Sequence, residues 1–321
     1  MDILSFLLIT FSPIFLTIRK QTGEVNYQLL SFDYTNCLRG VAILLIMAGH
    51  LLGTFGGRWF TPFGGIGVAL FLFLSGFGCN ESYKHKGLSG FWWKKVKRVL
   101  LPYAIVITLI CIIKQKWNLV YYLLNITGLE TGFWFIAYLM KWYIVYWVTT
   151  RFLPRYRIIV MILFAIISYA VLPEIEAAQS LSFLLGVICS ERLDNVKSFS
   201  KSKLAMIAGT GIFISITFLL IKQLPLVRQH EGEMIYALVQ MLIKLPCAIG
   251  LVAALNFVPA LIRSRYLSLA GTVSYELFLV HFPLYTYLDG RLLWAIVLLI
   301  GSFMVAYGFN KFNLKISKLL G

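Results

Sequence analysis

LRGVAILLIMAGHLLGTF, Leu38 to Phe55, reads as a helix that crosses a lipid bilayer. Apart from Arg39 at its head and His50 toward its tail it holds only apolar, glycine and threonine residues, and a crossing takes about 20 such residues at 1.5 Å of rise each. Comparable stretches recur outward from it, near 63–79, 99–113, 133–149, 158–172, 177–190, 204–221, 234–258, 267–288 and 291–309. Composition agrees: 60% of the 321 residues are hydrophobic, 13% are charged and the mean hydropathy is +0.82, whereas a soluble domain carries about 25% charge. The expected fold is an all-α integral membrane protein, a bundle of about ten transmembrane helices, several short enough to require tilts or breaks. A further apolar run, Ile3 to Ile18, precedes Arg19 and Lys20 without the basic leader or small-residue cleavage site of a removable signal. It is expected as an extra N-terminal helix, peripheral or interfacial. Residues 1–34 then form an N-terminal apolar segment with a cytoplasmic linker, and 35–321 form a single membrane domain without internal repeats.

A net charge of +16 would point to nucleic acid in a soluble chain, but here the basic residues lie between apolar runs. Across the ten segments, 20 of the Lys and Arg fall on the side of Arg19, Lys94 and Arg151, and 6 on the side of Arg58, Lys114 and Lys222. Cytoplasmic loops retain basic residues, so the first side is expected in the cytoplasm, and no nucleic-acid partner is expected. The five cysteines show neither CxxC spacing nor clustering with histidine. They read as small core residues, with no metal site.

Four stretches carry chemistry. Eleven residues separate Arg39 from His50, which places both on one helix face about 16 Å apart. Either these are a boundary arginine reaching lipid phosphates and a core histidine, or they line a wet cavity. FWWKKVKRVLLPY, Phe91 to Tyr103, sets Lys94, Lys95, Lys97 and Arg98 before an apolar run; it enforces topology, grips anionic lipid, or binds the phosphates of a nucleotide-like ligand. FLFLSGF, Phe71 to Phe77, is a small-residue packing stretch in which Ser75 is the one polar side chain. GTVSYELFLVHFPLY, Gly271 to Tyr285, places Glu276 and His281 inside a membrane segment, where ionisable groups point to function. By helical rise, His281 and His50 lie at similar depths, about 21 and 18 Å from the cytoplasmic ends.

In this order the four stretches resemble the acyltransferase-3 family of integral membrane acyltransferases, over about residues 35 to 310. The resemblance implies a ten-helix bundle in the bacterial cytoplasmic membrane that takes an acyl group, usually acetyl, from cytoplasmic acyl-CoA and places it on a hydroxyl of an envelope or surface glycan. It implies His50 as the catalytic residue, acting as base or as an acyl-carrying nucleophile. Arg39, Lys95 and Arg98 are implied as the phosphate-binding residues of the donor. Lys95 stands where the family ordinarily has Arg, which keeps the charge but loses the bidentate fork. Ser75, Tyr138, His281 or a backbone N–H are candidates to stabilise the oxyanion. Trp134, Tyr138 and Glu276 are candidates for the acceptor side. No permanently bound cofactor is expected, acetyl-CoA or another acyl-CoA being the donor substrate. Expected partners are a free or lipid-linked glycan and membrane lipids, with homo-oligomerisation left open. The rival readings are an exporter of a polysaccharide or small acid, using Arg39, His50, Lys141, Lys244, Glu276 and His281 as a path, and a scaffold for envelope synthesis. Against the exporter stand the lack of a repeated half and a basic cluster confined to one helix mouth.

Overall fold

The computed structural model describes residues 2–19, 28–54, 58–115, 118–128, 132–285 and 291–319. Residues 20–27, which hold Lys20 and much of the expected linker, lie outside them, as does Lys116. The described chain is helical: α1 (Asp2–Leu16), α2 (Phe32–Thr54), α3 (Thr61–Lys86), α4 (Phe91–Ile113), α5 (Leu119–Thr127), α6 (Trp134–Phe152), α7 (Arg157–Val171), α8 (Ser182–Glu191), α9 (Lys201–Ile221), α10 (Met234–Ala254), α11 (Arg265–Thr272), α12 (Ser274–Tyr285) and α13 (Leu292–Leu319), with a few single turns between. Among these residues the one β-type pairing is an isolated bridge between Ile18 and Ser264. Inside lipid this is required, because backbone groups have no water to bond and must be satisfied within the helix.

Among the described residues, seven helices are long and apolar enough to cross a bilayer: α2, α3, α4, α7 with its leading turn, α9, α10 and α13. α11 and α12 make an eighth if taken as one span, bent by 77° between Thr272 and Ser274. The expected count of about ten full crossings is not reached by this measure. α6 has 19 residues but carries Lys141, Thr149, Thr150 and Arg151, and α8 has only 10 residues after a turn at Glu174–Ala177.

Local chemistry sets the ends. The Ser200 hydroxyl accepts the Lys203 amide at 3.2 Å to start α9, and Asn118 Oδ1 accepts the Val120 amide at 2.9 Å to start α5, which ends at Gly128 with φ of 78°. Within α4 the stretch Val96–Leu100 is π-helical; such a turn inserts one extra residue and is often found at functional sites.

Lipid provides no hydrophobic drive between helices, so close backbone approach holds the bundle. At the α3–α8 crossing a side chain on Gly76 would collide with the Phe183 carbonyl, and one on Gly186 with the Phe73 carbonyl. α2 lies centrally, packed on α3, α11 and α12, while α10 joins α3 to α9. α1 lies along α13, α11 and α2. Its Phe6 is fully buried with Leu51, Leu52 and Ala295, and beyond its end the Thr17 hydroxyl meets that of Ser264 at 3.0 Å. α1, of 15 residues and about 22 Å, thus runs from the His50 end of the bundle toward the end bearing Arg263 and Arg265.

Candidate active site

His50 lies one turn from the end of α2, and the bend before α12 swings His281 to meet it, Nδ1 of His50 standing 3.0 Å from Nε2 of His281. His281 is fully buried, and its Nδ1 lies 2.7 Å from the Leu277 carbonyl oxygen. That carbonyl can only accept, so His281 Nδ1 carries a hydrogen and donates it. In the neutral pair His281 Nε2 is then the acceptor, His50 Nδ1 the donor, and His50 Nε2 keeps its lone pair. The ring of Tyr285 stacks on His50 at 4.8 Å between centroids and 16° between planes, and Phe282 lies 5.7 Å away, so the imidazole is held on its faces as well as its edge. Among the described residues His50 Nε2 has no hydrogen-bond partner.

His50 is half-buried and lines a cavity of about 430 Å³ together with Gly49, Gly64, Gly65, Trp134, Glu174, Gln179, Lys222, Gln240 and Lys244. At the opposite, basic end of α2, Arg39 lines a second cavity of about 320 Å³ with Ser75, Cys79, Lys94, Lys95, Arg98 and Tyr143. Lys95 is engaged there, its Nζ 3.1 Å from Cys79 Sγ and 3.7 Å from the centre of the Tyr143 ring. Arg39 and Arg98, which both line this cavity, make no hydrogen bond or ion pair among the described residues. Phe135 of α6 and Phe278 of α12 line both cavities, with ring centres 5.2 Å apart. An edge-to-face aromatic pair is the wall between the cationic chamber and the histidine chamber.

The residues singled out in the sequence sort by this geometry. Arg39, Ser75, Lys95 and Arg98 share one cavity, while His50 and Trp134 share the other, with His281 directly behind His50. Tyr138 is fully buried and lines neither cavity, and its hydroxyl has no hydrogen-bond partner among the described residues. Glu276 also lines neither; it accepts from Asn310 at 3.0 Å and Asn313 at 3.2 Å, tying α12 to α13. Lys141 pairs with Glu176 at 2.7 Å. The polar path considered for an exporter is therefore split, with Lys141 and Glu276 each occupied elsewhere. Sequence reasoning missed Glu174, Gln179, Lys222 and Gln240 as cavity residues. For Gln240 a signal exists, since it sits four residues before Lys244 and on the same face of an apolar helix. Outside the membrane segments, burial pushes the Lys222 ammonium below its ordinary pKa, against the opposing pull of Glu174. All five cysteines are free, and the described residues hold no metal-binding cluster.

The acyltransferase-3 family model, described as an acyltransferase domain, matches residues 32–311. No curated protein and no solved structure matches the chain.

Proposed function

The chain belongs to the acyltransferase-3 family and is a multi-pass membrane acyltransferase; from that premise we propose that it transfers an acyl group, acetyl by default, from cytoplasmic acyl-CoA to a glycan hydroxyl, with His50 as the general base. The donor phosphates sit on Arg39 and Arg98 in the basic cavity, with Lys95 adding charge from its seat against Tyr143. The pantetheine arm, long and thin, runs along α2 and parts the edge-to-face contact of Phe135 and Phe278 to bring the thioester to His50. The acceptor enters the other cavity from the far side of a bacterial cytoplasmic membrane.

His50 Nε2 takes the acceptor proton as the hydroxyl oxygen attacks the thioester carbonyl carbon. The tetrahedral intermediate collapses with loss of the carbon–sulfur bond. The departing thiolate recovers the proton from the imidazolium, and an ester and free CoA result. His281 keeps Nδ1 of His50 protonated and so aims the basic nitrogen at the cavity, a positioning part that a carboxylate often plays elsewhere. The observation that carries this reading is the relay from His50 through His281 to the Leu277 carbonyl, which leaves one lone pair directed away from the relay.

The test uses purified protein in nanodiscs, labelled acetyl-CoA and a crude envelope glycan fraction. His50→Ala is expected to lower donor turnover by about 10²–10⁴-fold. Flux of glycan into sealed vesicles without donor consumption would instead mark an exporter, and full complementation by His50→Ala in cells would mark a scaffold.

A further inference from the structure

Lys244 stands at the middle of α10, about 15 Å from either end, and an ammonium at that depth is costly unless something compensates it. Three other cations on the helices have partners. Lys141 has Glu176 at 2.7 Å, Arg157 has Glu191, and Lys95 has an aromatic face. Lys244 has neither a hydrogen bond nor an ion pair among the described residues, and is 7% exposed. Its position is built: a Cβ on Gly65 would run into its Cε and Cδ, so the stem lies across a glycine left bare for it. Gln179 fixes that strand of backbone by donating to the Gly65 carbonyl at 2.9 Å. The preceding Gly64 abuts Gly49, the residue before His50, and Lys244 and His50 open into one cavity.

Two other charged groups line this cavity, Glu174 and Lys222. Glu174 takes the Gly232 amide at 3.0 Å and stands near enough to attract both lysines, but forms a close ion pair with neither. Two cations against one engaged carboxylate leave the chamber electropositive. The donor's phosphates have their own cations beyond the Phe135–Phe278 wall, so the anion that Lys244 awaits belongs to the acceptor.

Resting on the transferase reading above, we propose that Lys244 anchors a carboxylate or phosphate of the acceptor, so that the glycan acylated here is an acidic one. The anionic group docks on the ammonium, the sugar ring lies in the chamber alongside Trp134, and a hydroxyl of the same or the neighbouring ring reaches His50 Nε2.

Binding of three probes to the purified full-length protein in nanodiscs tests this: methyl β-glucuronide, glucose 6-phosphate and methyl β-glucoside. At least one anionic probe is expected to bind about tenfold or more tightly than the neutral one, and the better of the two identifies the charged group. Lys244→Met should abolish that preference and Lys244→Arg should keep it, with CoA binding in the opposite cavity retained as the check on folding. Gly65→Ala, which displaces the stem while keeping the charge, should narrow it. Equal binding of all three probes overturns the proposal, as does a preference that survives Lys244→Met. Binding needs no chemistry, so an inert protein in the labelled-donor assay removes the transferase reading while the probe preference is still read. Intact turnover without anion preference removes the subsite alone.

Discussion

At the level of single side chains, the proposed chemistry turns on the contact between His50 and His281. Replacing His281 by Leu removes the acceptor for the His50 Nδ1 hydrogen, freeing the ring to flip and to change tautomer. The expected result is a fall in kcat of about 10²-fold with KM for acetyl-CoA nearly unchanged, since general base catalysis is worth about 10²–10⁴-fold. His281→Gln, whose amide oxygen can still accept from His50, should recover part of the loss; steady-state kinetics on the three proteins checks it, and equal defects in both variants would assign His281 to packing. Arg39 and His50 were legible from spacing alone because both lie on one helix, where 3.6 residues per turn dictates which share a face. Their partners were not. His281 lies 231 residues from His50, and no periodicity links them. The same limit explains Glu276 and Tyr138, whose ionisable or hydroxyl groups looked like site residues in a one-dimensional reading but face Asn310 and Asn313, or dry packing.

Among the helices, the crossing of α3 and α8 positions the cationic cavity, because Ser75, Gly78 and Cys79 on α3 form part of its wall. Gly76→Ala forces a methyl group against the Phe183 carbonyl at that crossing. Overpacking of this kind costs about 1–3 kcal/mol, so the variant should melt at lower temperature in detergent and weaken CoA binding. A melting curve identical to that of the parent would show that the helices separate without penalty. The basic stretch at the start of α4 was readable as a cluster, but its π turn was not placed; the signal for it is Pro102, which has no N–H to donate to the Arg98 carbonyl one turn back. The bend between α11 and α12 was hidden: 267–288 is apolar throughout enough to pass for one span. It breaks where Gly271 is pressed against the Asn36 carbonyl of α2, a contact made across the bundle.

Over the whole molecule, the two cavities lie end to end along α2, one cationic and one lined by His50. Basic-loop bias predicts which of them faces the cytoplasm. Ser202→Cys at the start of α9 should be labelled by an impermeant maleimide only after cells are opened, and Gln229→Cys, beyond its far end, should be labelled in intact cells. The reverse pattern would place the donor cavity outside and remove acyl-CoA as its ligand. Composition, apolar run length and the spacing of Arg39 and His50 were sufficient to determine a helical membrane protein with a cation and an imidazole on one face, because hydropathy and helical period are properties of consecutive residues. Where the late segment bends, which cations lack a partner among the described residues, and which two histidines meet were decided by tertiary structure. Those depend on contacts between segments hundreds of residues apart, made where small residues let backbones close.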